Sequence, residues 1–225
     1  MKILAFDTSN STSSVAISEG QNILSYMEDL RPSMQAESII NMIENVLSEA
    51  KLSYNEIDYL VVTKGPGSFT GIRIGLATAK GILLGTKIKG ISVSNLEIAH
   101  FRAMSQVKHC NKFIILINAF RNQLYVQIFD KDSKSSLPML MECDDFMELL
   151  QNEVGEVVCA GSGIELIYHK IKNIPNLIIL PRFPKIKALT LCRYIYDKFP
   201  NILTSPIEPL YIRQADAKIK QPNNK

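Results

Sequence analysis

The stretch "KGPGSFTGIRIG", residues 64–75, joins the apolar run "YLVV" to a segment with helical spacing. A P-loop has Lys and then Ser or Thr after its last glycine, whereas Ile72 and Arg73 follow Gly71 here. The dinucleotide pattern G-x-G-x-x-G also fails, because the glycine after Gly65 and Gly67 comes one residue late. The spacing therefore does not match either of these phosphate-binding loops.

Two interpretations of this glycine loop remain. In the first, the glycines form a tight turn and Ser68 or Thr70 caps the helix. In the second, Arg73 and the amides of the helix N-terminus bind an anion. Spacing alone favours the first.

The helix that follows the loop has a face of small residues. Gly71, Gly75 and Ala79 recur at four-residue steps, with Thr78 beside them. An interior glycine costs about 1 kcal/mol relative to alanine, so a smooth face is expected to bring another backbone close. That backbone belongs either to the chain's own sheet or to a helix of a partner, and the pattern leaves both open.

Composition indicates an ordinary globular protein. The 225 residues are 46% apolar and 21% charged, and the net charge of +3 does not by itself imply a nucleic-acid or membrane partner. The N-terminus "MKILAFDTSN" turns polar too early for a signal peptide, and no apolar run reaches the roughly 20 residues of a membrane span. The four cysteines form no C-x-x-C pair. We expect a cytoplasmic protein without membrane contact.

Basic residues gather at the end of the chain, namely Arg213, Lys218, Lys220 and Lys225. This pattern is typical of a solvated terminus. The alternative is a contact with an anionic partner.

The order of predicted elements occurs twice. Strands at "KILAF", "SVAIS" and "NILSYMED" precede a helix over 33–50, capped by Ser33. A second half starts at "KFIILINAF" and has the same order, in which a hairpin comes first and helices follow. The predicted apolar face of the 33–50 helix comprises Ala36, Ile39, Ile40, Ile43, Val46, Leu47 and Ala50. We predict halves at 1–105 and 106–205, with segment 206–225 able to pack back on the first.

Side chains for catalysis are few. The three histidines are not spaced three or four residues apart, and neither H-E-x-x-H nor G-x-S-x-G occurs. Asp7 ends a strand and precedes Thr8 and Ser9, so its carboxylate could hold magnesium or bond the turn amides, and the turn role is favoured. We predict no catalytic residue and no metal site.

Several segments, in order, resemble the TsaB family, the dimerisation subunit of the bacterial tRNA threonylcarbamoyladenosine machinery. They are "ILAFDTSNSTSSVAI", "KGPGSFTGIRIGLATAKG", "GISVSNLEIA", "NAFRNQLY", "GSG" at 161–163 and "PLYIR" at 209–213. The resemblance implies an α/β chain with the actin-like ATPase fold, made of two ribonuclease-H-like halves with mixed sheets flanked by helices. Asp7, Thr8 and Ser9 match the family's nucleotide-binding hairpin, so the resemblance also implies that these residues could keep a residual contact with a nucleotide.

The resemblance also implies a catalytic sibling, TsaD, in which a V-N-H-L-E-G-H segment supplies two metal-binding histidines. Aligned with "VSNLEIA" of this chain, those positions hold Asn95 and Ala99, and His100 is displaced by one residue, about 100° around a helix. Family members usually carry acids at the positions of Asn118 and near Gln123, where this chain has neutral amides.

We therefore hypothesise a non-catalytic subunit that pairs with TsaD through the helices of its first half. The predicted partner-binding residues are Ile39, Ile43, Gly71, Gly75, Thr78, Ala79 and Ile82. The resemblance adds TsaE and TsaC as functional partners, tRNA through the complex, ATP or ADP at the interface of the complex, and a homodimer when the chain is alone. The alternatives are an ATP-dependent transferase or kinase in its own right and, less favoured, a metallopeptidase.

Overall fold

The computed structural model describes residues 1–181, 185–201 and 204–213, and within them the chain forms two five-stranded sheets of the same strand order. The first half comprises β1 (Lys2–Asp7), β2 (Ser13–Glu19), β3 (Asn22–Asp29), α1 (Gln35–Ala50), a 3₁₀ turn (Tyr54–Glu56), β4 (Tyr59–Thr63), α2 (Phe69–Leu84), β5 (Lys89–Val93) and α3 (Asn95–Gln106). The second comprises β6 (Lys112–Asn118), β7 (Gln123–Asp130), β8 (Met139–Glu142), α4 (Cys143–Gln151), β9 (Val157–Ala160), α5 (Ile164–Ile171), β10 (Leu177–Leu180) and α6 (Ala188–Lys198).

The sheets run β3-β2-β1-β4-β5 and β10-β9-β6-β7-β8, so the second repeats the first element for element. In each, three strands form an antiparallel meander and two more join in parallel beside the first of them. This confirms the predicted fold class, the actin-like ATPase fold with two ribonuclease-H-like halves.

Two helices lie between the sheets, and each packs on the sheet of the other half. Leu96 and Ala99 of α3 join a buried cluster with Phe113 of β6, while Leu191 of α6 joins one with Ile3 of β1. Thus α6 belongs by sequence to the predicted second half, 106–205, yet it packs into the hydrophobic core of the first half. The sequence pattern did not predict α3, because its C-terminal half is polar.

Helix α1 differs from its prediction at its start. Ser33 has a positive φ of 64° and precedes the helix, and no side chain caps Gln35–Ala50. Ala36 and Ile40 are exposed, whereas the other large apolar residues of the predicted face are buried. The predicted face was therefore too wide, and Ile40 stands on its solvent side.

The glycine loop packs directly on the turn between β1 and β2. The Ser68 amide donates to the Ser9 carbonyl at 2.8 Å, and the Thr8 hydroxyl donates to the Gly71 carbonyl at 2.7 Å. A Cβ atom on Gly71 would overlap the Thr8 carbonyl oxygen. Of the two predicted caps, Ser68 is the one observed, since its hydroxyl accepts from the Gly71 amide. The glycines thus allow one loop to touch another.

The second half repeats this approach. A Cβ on Gly161, which has a φ of 114°, would overlap the Leu116 carbonyl oxygen, and the Gly163 amide donates to that oxygen at 3.0 Å. A glycine turn after the fourth strand therefore lies against the end of the first strand in both halves.

The described part of the C-terminal segment lies along β5 and then reaches the second half. The Ser92 amide donates to the Ser205 hydroxyl at 3.0 Å, and the Leu210 amide donates to the Lys64 carbonyl at 2.8 Å. Three residues later, Arg213 donates to the Ala119 carbonyl at 3.0 Å. Residues 214–225, with the predicted basic tail, lie outside the described residues.

One pair of matched substitutions tests this packing. Gly71→Ala places a methyl group against the Thr8 carbonyl and should destabilise the fold by about 2 kcal/mol. Gly81→Ala on the same helix meets nothing within 4 Å and should stabilise it by up to about 1 kcal/mol. Urea unfolding of both variants measures the difference, and equal midpoints would contradict the described contact.

Candidate functional site

The carboxylate of Asp7 is the centre of a buried hydrogen-bond network at the end of β1. Its Oδ1 accepts from the Ser9 hydroxyl at 2.5 Å, the Thr63 hydroxyl at 2.6 Å and the Ser9 amide at 3.2 Å. Its Oδ2 accepts from Asn10 Nδ2 at 3.0 Å. The network links the β1–β2 turn to the end of β4, which is the turn role that the sequence favoured.

The electrostatics of Asp7 fit a structural role. Burial raises the pKa of Asp7, and the hydrogen bonds from Ser9, Thr63 and Asn10 oppose that rise. Two amides of the glycine loop that could meet an anion are already occupied, because the Ser68 amide bonds Ser9 and the Gly71 amide bonds the Ser68 hydroxyl. Nucleotide binding at Asp7, Thr8 and Ser9 stays a prediction, and all three side chains are buried.

The first residues of α3 stand where the resemblance implies the two metal-binding histidines of TsaD. Asn95 is buried and donates from Nδ2 to the Ser9 hydroxyl at 2.7 Å, which leaves its Oδ1 without a partner among the described residues. Ala99 is buried in the cluster that α3 shares with the second sheet. Neither residue carries an imidazole. Within the described part of the chain, three or more His, Cys, Asp or Glu side chains do not gather as a metal site would require.

His100 faces the core of the second half. Its ring stacks on Phe129, with centroids 4.2 Å apart, and meets the edge of Phe113 at 5.1 Å. Burial lowers the pKa of His100 to about 4, with a smaller contribution from Lys198 and an opposing one from Asp130. His100 is therefore a neutral core residue at pH 7, and its Nε2 has no hydrogen-bond partner among the described residues.

Most of the predicted partner-binding residues lie inside this chain. Ile39, Ile43 and Ala79 belong to the core between α1, α2 and the first sheet. Gly71 and Gly75 face Thr8, and a Cβ on Gly75 would overlap the Thr8 hydroxyl. The small-residue face therefore serves the chain's own packing, and these five residues are buried within the chain.

The other two predicted partner-binding residues, Thr78 and Ile82, are half-buried. They lie next to the exposed side of α2, away from the face that packs on Thr8. Gly81 is exposed and a Cβ there meets nothing within 4 Å, and Leu84 is 90% exposed. Ile40 of α1 is 50% exposed. We call Ile40, Ala77, Thr78, Gly81, Ile82 and Leu84 the outer face. In the sequence, the signal that could have found this face is Gly81 and Gly85, which are four residues apart like Gly71 and Gly75.

The two neutral amides of the second half have defined partners. Asn118 Oδ1 accepts from the Phe120 amide at 2.8 Å, and Gln123 bonds both Glu142 and Arg213. They hold the turn of the β6–β7 hairpin. Neither touches Asp7 in the described network.

Sequence reasoning did not predict the cluster formed by Phe69, Arg73 and Tyr211. The Arg73 guanidinium lies 3.7 Å from the centroid of the Phe69 ring, and its Nε donates to the Tyr211 hydroxyl at 3.2 Å. Tyr211 stands in the "PLYIR" segment, which is 138 residues away from Arg73 along the chain. In the sequence, only the resemblance to the TsaB family pointed to the segment that contains Tyr211.

In the part of the chain that is described, no helix combines the length and the apolar character needed to cross a membrane.

Asp7→Asn tests the buried network. The amide nitrogen of Asn faces donors in place of an acceptor, so we expect the free energy of unfolding to fall by about 2–3 kcal/mol. Urea unfolding at pH 7 measures the loss. Asp132→Asn is the control, since Asp132 is exposed; equal losses for the two variants would show that the network is unimportant.

His100→Phe tests the neutral imidazole. Because the folded pKa of about 4 lies below the ordinary 6.5, the unfolded chain binds more protons between these values. Stability conferred by neutral His100 is then complete above pH 6.5 and lost as the pH falls towards 4, by at most about 3 kcal/mol. His100→Phe should remove this part of the pH dependence.

Unfolding at a series of pH values measures the effect of His100→Phe. The same substitution at exposed His169 controls for removal of an imidazole in general. If wild type and His100→Phe lose stability in parallel on acidification, the imidazole is not buried as described.

Several relatives of this chain carry names from tRNA threonylcarbamoyladenosine biosynthesis. Residues 34–177 match the family model described as "TsaD: tRNA N6-adenosine threonylcarbamoyltransferase". The tRNA threonylcarbamoyladenosine biosynthesis protein TsaB of Buchnera aphidicola subsp. Schizaphis graminum is 35% identical over 90% of this chain and 97% of its own length. TsaB of Escherichia coli is 29% identical over 72% of each chain.

A solved structure gives the same fold. It comes from Pseudomonas aeruginosa, is described as an uncharacterized protein with similarity to peptidase YEAZ, and superposes with a TM-score of 0.75 at 20% identity, over 94% of this chain and 99% of the other. At that identity it supports the fold alone. By the extent of its similarity to TsaB sequences, this chain belongs to the TsaB family of tRNA threonylcarbamoyladenosine biosynthesis proteins.

Proposed function

We propose that this chain is a non-catalytic subunit of tRNA threonylcarbamoyladenosine biosynthesis. It binds TsaD and activates it for threonylcarbamoyl transfer to the adenosine next to the tRNA anticodon. The observation that carries the proposal is the pair Asn95 and Ala99, which stand where the resemblance implies two metal-binding histidines. Asn95 is committed to Ser9, and His100 is turned into the second core.

The outer face supports a helical contact with TsaD. It combines apolar side chains with a glycine and an alanine at four-residue spacing, Ala77 and Gly81, so another helix can approach α2 closely. Leu84 is 90% exposed, so its burial against a partner would contribute most to the free energy of binding. This face keeps Thr78 and Ile82 of the predicted partner-binding residues and replaces the other five. The same surface would let the chain form a homodimer when alone.

The wider assembly follows from the same proposal. TsaC supplies the threonylcarbamoyl adenylate, TsaE joins the pair as an ATPase, and ATP or ADP binds at the interface of the complex. The chain then needs no cofactor of its own. It acts in the cytoplasm, where the tRNA substrate is.

An ATP-dependent enzyme is the second candidate, and the buried carboxylate of Asp7 beside a glycine loop is the observation that favours it. The amides and hydroxyls around Asp7 are paired within the chain, which weighs against it. The metallopeptidase alternative has no such support in the described residues.

Co-purification with TsaD from the same organism tests the proposal directly. Threonylcarbamoyl transfer is measured with each chain alone and with the mixture. We expect a stable complex, no transfer by this chain alone and faster transfer by the mixture. Transfer or nucleotide turnover by this chain alone, abolished by Asp7→Asn, would establish the second candidate instead.

Gly81→Leu tests the outer face. A leucine there meets open space in the free chain, so folding should be intact, while a partner helix would be held off. We expect TsaD binding to weaken at least 10-fold, measured by calorimetric titration. Glu148→Leu, at an exposed position of α4, is the matched control and should bind as the wild type does. Equal affinities of the two variants would exclude α2 from the interface.

A further inference from the structure

We propose that the surface formed by Phe69, Arg73, Tyr211, Arg213 and Phe120, which we call the aromatic–arginine surface, binds single-stranded RNA. The inference rests on the proposed function, since a subunit of a tRNA-modifying complex works beside RNA. It adds a contact that membership of the family does not assign.

The first part of the surface stands at the N-terminal end of α2. Phe69 and Tyr211 are each 56% exposed, and their ring centroids lie 6.1 Å apart. The Arg73 guanidinium lies over the Phe69 ring, 3.7 Å from its centroid, and is 5.9 Å from the centroid of Tyr211. The aromatic contacts and the hydrogen bond to Tyr211 hold its guanidinium in place at the surface.

The second part is the β6–β7 turn. Phe120 is 71% exposed and begins a run of three residues with positive φ, at 60°, 53° and 61° for Phe120, Arg121 and Asn122. Such angles are unfavourable for residues other than glycine. The Phe120 amide donates to Asn118 Oδ1 at 2.8 Å and the Gln123 amide donates to the Phe120 carbonyl at 3.0 Å. A strained turn held by these bonds presents Phe120 to solvent.

The C-terminal segment connects the two parts. Tyr211 contacts Arg73, and Arg213, two residues further, donates to the carbonyl of Ala119, next to Phe120. Tyr211 and Arg213 thus link the part at α2 to the β6–β7 turn. Asn118 and Gln123 are uncharged, whereas Glu142, which bonds Gln123, and Glu208, three residues before Tyr211, are exposed carboxylates.

Three exposed rings and the arginines beside them match the chemistry of an unpaired RNA strand. Bases of a single strand stack on aromatic side chains, and each such contact is worth about 1–3 kcal/mol. Arginine pairs with the phosphates between the bases. A duplex hides its base faces and could use only the charges, so the rings favour a single-stranded ligand.

Fluorescence anisotropy of the full chain with a labelled 12-nucleotide RNA of mixed sequence tests the surface. Phe69→Leu and Phe120→Leu keep apolar bulk and remove the ring face. We expect each to weaken binding about 5- to 20-fold. Phe199→Leu is the matched control, because Phe199 is 52% exposed and lines the same cavity as Leu84. Leu84 is at the other end of α2, about 22 Å from Phe69 along the helix.

Arg73→Gln supplies a second readout. Loss of one phosphate contact should reduce the slope of log affinity against log salt by about 0.7, which a loss of apolar contact would not do. Equal affinity of the three Phe variants would overturn the proposal. So would wild-type binding weaker than about 100 µM at physiological salt, or an unchanged slope for Arg73→Gln.

TsaD co-purification with the same preparations separates the two proposals. If the variants keep TsaD and lose RNA, both proposals stand. If wild type binds TsaD without binding RNA, the RNA surface alone is wrong, and if it binds RNA without TsaD, the accessory role alone is wrong. Loss of TsaD from Phe69→Leu and Phe120→Leu with RNA binding intact would make the surface a protein contact and overturn the inference.

Discussion

The contact between the β1–β2 turn and the glycine loop is the constraint on which the rest of the first half depends. Thr8 and Ser9 lie so close to Gly67 and Gly71 that no side chain fits between the two loops. The buried carboxylate of Asp7 then collects the hydroxyls of Ser9 and Thr63. Position and direction of α2 follow, because the helix begins within this contact. A loop suited by composition to anion binding is thereby used to join two segments of the same chain.

The repeated architecture explains how such a change of use is tolerated. Both halves place a glycine turn against the end of their first strand, at Gly71 and at Gly161. This packing rule belongs to the fold and does not depend on particular side chains for chemistry. Asn95 and Ala99 are buried at the start of α3 and offer no imidazole to a metal.

Much of the fold was predictable from the sequence, and much of the site was not. The short runs of β1 and β2 and the cap at Ser68 are local signals, and they predicted the hairpin-first order and the start of α2. The glycine face of α2 points towards the backbone that packs against it. That backbone is at Thr8, which is 63 residues away from Gly71 along the chain. For the same reason Ile39 and Ile43 were placed at an interface although they are core. The contact of Arg73 with Tyr211 spans most of the chain and leaves no periodic signal.

The last described residues also limit how far the two halves can separate. Leu210 is bonded to Lys64 in the first half and Arg213 to Ala119 in the second. Three residue steps extend to at most about 11 Å, so this short tether restricts how far the two anchoring points can separate while both bonds persist. A hinge motion that moves the two halves widely apart must therefore first release one end of the tether.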